Sequence, residues 1–311
     1  MEYITLKNSD LRVSRLCMGG CPMGGYGWGI VEERELIDAV HAALDRGINF
    51  FDTADTYGLG QSERTLGKAL GSRRGEAVIA TKFGVRVEKG GTIYDNTPEW
   101  IVNACDSSLR RLRTDYIDLF QIHYRDGKTD LSTVVETLEL LRRQGKIRYF
   151  GLSNLKRKDL PELESHKGSF VSLQNQYSLA CRDFEQDILE LSEKIEVSPL
   201  TWGSLGQGIL TGKYDKNVMF SSDDRRSREI YVNFHGEKLL KNLEIVEQLK
   251  TIAEAYGKPV SAVAIRFILD YLPGSVVLCG IKRPAQILGN AEALDWHLDQ
   301  SDLERLEQIS E

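Results

Sequence analysis

The stretch FFDTADTYG, residues 50–58, runs two aromatic residues into Asp52 and places Tyr57 five positions later. Two further polar residues close apolar runs downstream: Lys82 ends VIATK (78–82), and His123 ends YIDLFQIH (116–123). A carboxylate, a phenol, an ammonium and an imidazole are the parts of a phenolic acid–base site. A tyrosine hydroxyl, with an ordinary pKa of about 10, is a weak acid near neutral pH. A neighbouring lysine cation would lower that pKa, and an aspartate would keep the buried lysine charged. A neutral histidine beside the hydroxyl could orient a carbonyl oxygen and share its proton. The set suits protonation of a carbonyl oxygen during reduction, with the hydride coming from a separate group.

Taken singly, three of the four have plain structural readings: a strand-end carboxylate, a loop aromatic and a solvated strand exit. His123 is harder to set aside, because the chain has five histidines and this one ends a strongly apolar run. What gives the set weight is its recurrence at the ends of consecutive runs. That pattern asks for a fold in which strand ends meet over one pocket.

The spacing supplies such a fold. Short apolar runs alternate with amphipathic helices from LCMGG (16–20) to SVVLCG (275–280), eight runs in all, each followed by helical periodicity. The other runs are 48–52, 78–82, 116–123, 147–154, 170–175 and 196–202. The helices are expected near 35–47, 62–70, 98–112, 131–145, 157–165, 186–194, 236–256, 260–270 and 284–293. Ser62 reads as the N-cap of the second helix, and Pro98 sits in the first turn of the third. Near-continuous apolar runs mean strands buried on both faces, as in a parallel sheet. Eight βα units without a linker favour a single-domain (β/α)8 TIM barrel over residues 1–311. Residues 3–13 are expected to form a hairpin closing its bottom, and 302–310 a surface helix. CMGGCPMGGYGWG (17–29) is Gly-rich but lacks GxGxxG spacing, so an open dinucleotide-binding sheet is disfavoured.

Composition narrows the class. The net charge of −6 gives no reason to expect a nucleic-acid or anionic-membrane partner. Five scattered cysteines without CxxC spacing read as reduced thiols of a cytoplasmic protein. No apolar run approaches the ~18 residues of a membrane span. A metal-dependent hydrolase would need clustered His and carboxylates at strand ends, and only His123 is so placed, so no metal is expected.

With these motifs in view, the sequence resembles the aldo-keto reductase superfamily, in the branch of bacterial aldehyde reductases and potassium-channel β subunits. The resemblance spans the chain and rests on GINFFDTADTYG, SERTLGKAL, IATKFG, TDYIDLFQIH, GKIRYFGLSN and GQGILTGKY. It implies a (β/α)8 barrel that uses NADPH, with NADH as the alternative cofactor, and reduces an aldehyde or ketone. By position, the family's catalytic tetrad falls on Asp52, Tyr57, Lys82 and His123. Ser153, Asn154 and Gln174 match residues that hold the nicotinamide carboxamide. Trp202 stands where relatives carry a tyrosine stacked on the nicotinamide. Gly203, Ser204, Leu205, Gln207 and Gly208 match the loop crossing the pyrophosphate. In GIKRPAQILGN, Lys282 and Arg283 match the 2′-phosphate end and Asn290 an adenine contact. Gln286 departs from the arginine common at its position.

Tyr26, Trp28, Tyr124, Arg125 and the segment 215–235 are candidate walls for a sugar-like or aromatic carbonyl substrate. SSDDRRSRE (221–229) reads as a mobile solvated loop, one that could close over the cofactor. The rival reading is a cofactor-sensing regulatory subunit like the channel β subunits, which keep the tetrad. The polar tail after residue 300 offers no heptad seam that would fix an oligomeric state.

Overall fold

A computed structural model of the protein describes residues 1–89 and 91–311. Its first two strands, β1 (Tyr3–Thr5) and β2 (Arg12–Ser14), pair antiparallel as the hairpin expected at the N-terminus. Eight parallel strands follow: β3 (Leu16–Gly19), β4 (Phe50–Asp52), β5 (Val78–Phe83), then, after a second hairpin of β6 (Val85–Glu88) and β7 (Gly91–Tyr94), β8 (Ile117–Ile122), β9 (Ile147–Ser153), β10 (Ser172–Gln176), β11 (Ser198–Trp202) and β12 (Val276–Gly280). They close as β10-β11-β12-β3-β4-β5-β8-β9, a TIM barrel.

Strand alternation sorts the side chains into two cores. Cys17, Phe50, Ala80, Leu119, Val171, Leu200 and Val276 form an inner cluster, joined by Leu6, Leu11 and Val13 of the hairpin region, which plugs the barrel. Their alternate neighbours Met18, Phe51, Ile79 and Phe120 pack outward against the helices in the larger cluster. This period of two explains why apolar runs end in functional residues: beyond Phe50 the next inward position is Asp52, and beyond Ala80 it is Lys82.

The helices are α1 (Glu33–Asp45), α2 (Gln61–Leu70), α3 (Pro98–Leu112), α4 (Leu131–Arg143), α5 (Leu160–Glu164), α6 (Glu185–Lys194), α7 (Gly236–Tyr256), α8 (Val260–Tyr271), α9 (Pro284–Ala291) and α10 (Gln300–Ser310). Side-chain caps start several of them: the Trp100 N–H donates to Thr97 Oγ1 for α3, and the Ser132 N–H to Asp130 for α4. Among the described residues no helix is long and apolar enough to cross a membrane, and no group of three or more His, Cys, Asp or Glu is placed to hold a metal ion.

Three features differ from the sequence-based expectation. Ser62 does not cap α2, which starts one residue earlier after Gly60 (φ 84°). Its hydroxyl instead donates to Gly20 O at 2.7 Å and accepts from Thr53 Oγ1 at 2.7 Å, tying α2 to the strand ends. The β6–β7 hairpin lies between the third run and the third helix, where the sequence analysis placed no element. The segment 221–229 is solvated at both ends, 221–223 and 228–229, but docked at its centre: Asp224 is buried and paired with Arg226, and the Arg225 N–H donates to Gly27 O. Paired charge lets so polar a stretch dock on the first loop.

Candidate active site

Asp52, Lys82, Gln121 and Gln174 project inward from β4, β5, β8 and β10 into one layer above the inner core. Lys82 Nζ lies 2.6 Å from Asp52 Oδ1 and donates to Thr53 O at 2.9 Å. Asp52 Oδ2 accepts from Gln174 Nε2 at 2.8 Å and Gln121 Nε2 at 3.2 Å. The lysine is fully buried and the aspartate nearly so. A buried ion pair is tolerable only when its remaining hydrogen-bonding positions are filled, which these amides and the Thr53 carbonyl do.

Tyr57 is delivered by the β4–α2 loop. Gly58 follows it in left-handed conformation (φ 60°), and a Cβ there would sit 2.1 Å from Gly24 O, so no larger residue lets the two loops meet. The Tyr57 hydroxyl is 3.5 Å from Lys82 Nζ, a long contact. The His123 ring meets the Tyr57 ring edge-on at 6.1 Å between centroids. Tyr124 stacks on His123 at 5.0 Å and Tyr94 on Tyr124 at 5.1 Å, so a ladder of rings running out from β7 holds the imidazole.

Electrostatics assign the protons. Burial, with the Lys82 charge in support, pushes the His123 pKa down to about 3, which keeps the ring neutral. Its Nδ1 is shielded and has no partner among the described residues. Burial also holds the Tyr57 phenol well above its ordinary value, with Asp52 among the smaller contributors. This reverses the expectation that Lys82 would depress it. The ammonium, 2.6 Å from a carboxylate and 3.5 Å from the phenol, does not offset that burial. In this state Tyr57 is a protonated donor.

The residues matched to a cofactor lie at and beyond the ends of β9, β10, β11 and β12. The Ser153 hydroxyl donates to Gln174 O at 2.8 Å, the Asn154 amide donates to His123 O at 3.0 Å, and the Trp202 indole N–H donates to Asn154 Oδ1 at 3.2 Å. Past β11 the backbone turns left-handed at Gly203, Gly206, Gln207 and Gly208, a form that makes anion-binding concavities. A Cβ at Gly206 would lie 2.8 Å from Ile209 and 3.0 Å from Ala180, so glycine is required there. Ser204 is buried and donates to Thr201 O, Leu205 N-caps the turn, and Gln207 Oε1 accepts from Asn233. Beyond β12, Lys282 Nζ donates to Trp28 O at 2.6 Å and Arg283 to Glu35 at 3.1 Å. Gln286 Oε1 accepts from the Lys282 and Arg283 N–H groups and so opens α9, while Asn290 is buried along that helix. These groups fit a dinucleotide: glycine-dependent turns beside an aromatic face, then two cations at the far end.

A cavity of about 200 Å³ opens over Tyr57, lined by Cys21, Gly24, Tyr26, Thr56, Tyr57, Gly58 and Arg225. Of the expected walls, Tyr26 lines it. Trp28 stands behind, in edge contact with Tyr231 and 5.9 Å from the Arg225 guanidinium. Tyr124 supports His123. Arg125 is engaged elsewhere, by Glu162 and the Thr129 carbonyl, and does not line the cavity.

Sequence reasoning passed over Gln121 and Cys21, and it covered Arg225 only as part of the candidate wall 215–235. Gln121 had a signal, as the inward polar residue two before His123 in a strand. The wall expected from 215–235 is supplied by Arg225, which the docking of its segment brings to the Tyr57 cavity. It packs on Tyr26 at 4.6 Å, its Nε is shielded without a partner, and among the described residues no carboxylate pairs with it.

Known proteins carry the same design. The curated relative YhdN of Bacillus subtilis, an aldo-keto reductase, is 32% identical, with 100% of this chain and 94% of the relative covered. The glycerol dehydrogenase AKR11B4 of Gluconobacter oxydans superposes with a TM-score of 0.88 at 33% identity, covering 99% of this chain and 94% of that one. An aldo-keto reductase of Klebsiella pneumoniae in complex with NADPH gives 0.74 at 26% identity, covering 100% and 96%. Residues 15–311 match the aldo/keto reductase family, and the chain belongs to that family of NAD(P)H-linked oxidoreductases.

Proposed function

We propose that the protein is an NADPH-dependent carbonyl reductase for small polar aldehydes or ketones of the hydroxyaldehyde or sugar type, with Tyr57 as proton donor. The observation that carries this reading is the meeting of a protonated Tyr57 with the buried Lys82–Asp52 pair, 3.5 Å from its ammonium, and with the edge of a neutral His123 ring. Bound across the strand ends, NADPH would supply the hydride for the carbonyl carbon. As charge develops on the substrate oxygen, the Tyr57 hydroxyl gives it a proton. Lys82 stabilises the phenolate left behind, and Asp52 keeps Lys82 in reach. His123, being uncharged, hydrogen-bonds the oxygen without adding a second acid. In the alcohol-oxidising direction the proton returns along the same path.

Ser153, Asn154 and Gln174 would hold the carboxamide, Trp202 the ring face, and Gly203, Ser204, Leu205, Gln207 and Gly208 the pyrophosphate. Lys282 and Arg283 would take the 2′-phosphate, with Gln286 shaping their turn and Asn290 against the adenine. The Arg283–Glu35 pair is exposed and worth only ~0–1 kcal/mol, so a phosphate competes readily for that guanidinium. On these grounds NADPH is preferred over NADH.

The cavity favours polar over aromatic substrates, because the unpaired Arg225 cation and the Thr56 hydroxyl face a volume of about 200 Å³. The glycerol dehydrogenase among the structural neighbours points the same way. The test is NADPH oxidation over a panel of short hydroxyaldehydes, sugars and aromatic aldehydes, repeated with NADH. Turnover highest for short hydroxyaldehydes with NADPH supports the reading, and absence of turnover with every carbonyl refutes it.

A further inference from the structure

A second cavity lies in the helical shell, against α2 and α3, and takes no part in the chemistry above. Its volume is about 310 Å³ and its walls are Arg64, Ser107, Arg110, Arg111 and Arg113. Four guanidiniums and a hydroxyl share this space in a chain whose net charge is −6. Ser107, Arg110 and Arg111 come from the end of α3, and Arg113 from its left-handed closing residue (φ 56°). Cations at a helix C-terminus answer the negative end of the helix dipole, which accounts for Arg110 and Arg111. It does not account for Arg64, which sits in the first turn of α2, where a cation is disfavoured.

Only Arg111 is neutralised, by the buried Glu63 carboxylate, which also accepts from Thr81 Oγ1. Among the described residues no carboxylate lies within 4.0 Å of Arg64, Arg110 or Arg113. Arg64 donates to Leu59 O and Arg110 to Ser107 Oγ, both neutral acceptors. Arg64 and Arg111 are held close on either side of one backbone position: a Cβ at Gly60 would meet Arg111 Cδ at 2.3 Å and Arg64 at 3.1 Å. Arg64, Arg110 and Arg113 are exposed, so solvent screens their mutual repulsion while their guanidiniums stay without a carboxylate partner among the described residues.

We propose that this cavity binds a small phosphate-type oxyanion, with a diphosphate group fitting best. Arginine forks match phosphate oxygens in pairs, and four forks supply more donors than one phosphate can use. The volume sits at the lower end of small-molecule sites, which span about 300–1,000 Å³. The site abuts Leu59 and Gly60, which close the loop carrying Tyr57, yet it lies apart from the residues matched to a cofactor. The inference does not depend on the reductase reading.

The test is calorimetric titration with pyrophosphate, inorganic phosphate and, at matched ionic strength, chloride. It is run on the NADPH-saturated protein, so that the cofactor's own phosphate positions are filled, and repeated without NADPH. Expected are one saturable site per chain, tighter binding of pyrophosphate than phosphate, and no saturable heat from chloride. The double variant Arg110→Gln/Arg113→Gln changes exposed side chains only, and should weaken pyrophosphate at least about tenfold with its circular dichroism unchanged. Should that variant misfold, Arg64→Gln carries the same expectation. No saturable binding of either phosphate, or equal affinity in native and variant chains, would overturn the proposal.

Discussion

Lys82 Nζ lies 2.6 Å from Asp52 Oδ1, a charge pair spanning two barrel strands with both side chains out of water. Removing one partner leaves the other's charge uncompensated in the interior. Asp52→Asn is therefore expected to cost ~3–5 kcal/mol in urea unfolding, in the range for breaking a buried pair. The same variant loosens Gln121 and Gln174, which both donate to the lost oxygen. A loss below about 1 kcal/mol would show that the pair is not what holds this layer.

The neutral His123 gives a pH signature. Its folded pKa, about 3, lies below the unfolded value near 6.5, so the unfolded chain binds the extra proton first. Its contribution to stability is complete above pH 6.5 and is lost as pH falls towards 3. His123→Gln should flatten the decline between pH 6.5 and 4.5 in denaturant titrations. The native rate profile should show no limb near 6.5 from this residue.

Asp55 runs the other way. Burial and the nearby Glu63 charge push its pKa up to about 8, and its Oδ1 is shielded without a partner. A raised folded pKa means stability present below the unfolded value of about 3.8 and lost as pH climbs to 8. Asp55→Asn should lose less stability than the native chain between pH 5 and 8.5, read by thermal melts across that range. Parallel curves would refute this assignment.

Arg225 carries the substrate preference. Arg225→Gln keeps a polar stem over Tyr26 but removes the cation, and should raise KM for hydroxylated or anionic aldehydes about tenfold. One charged hydrogen bond is worth that much. Its kcat should stay close to native, and aromatic aldehydes should be affected least. An equal loss for both substrate classes would place Arg225 outside substrate recognition.

Much of the barrel was legible because strand alternation and helix periodicity are local. Inward polar residues at strand ends, such as Asp52 and Lys82, stand out against their apolar neighbours. What stayed hidden depends on contacts distant in sequence. Ser62 looks like a cap until Gly20, forty-two residues earlier, claims its hydroxyl. The centre of segment 221–229 looks solvated until Asp224 pairs with Arg226 and the Arg225 N–H finds Gly27 O. The direction of the Tyr57 shift was likewise hidden, because it turns on how completely the fold buries the phenol, which no spacing encodes.

The most direct test of the central claim is single-turnover hydride transfer from bound NADPH to a short hydroxyaldehyde, in the native chain and in Tyr57→Phe. Loss of the proton donor should slow transfer by ~10²–10⁴-fold while NADPH affinity stays within about twofold of native. Transfer at the native rate in Tyr57→Phe would contradict the account and move the proton source to another residue.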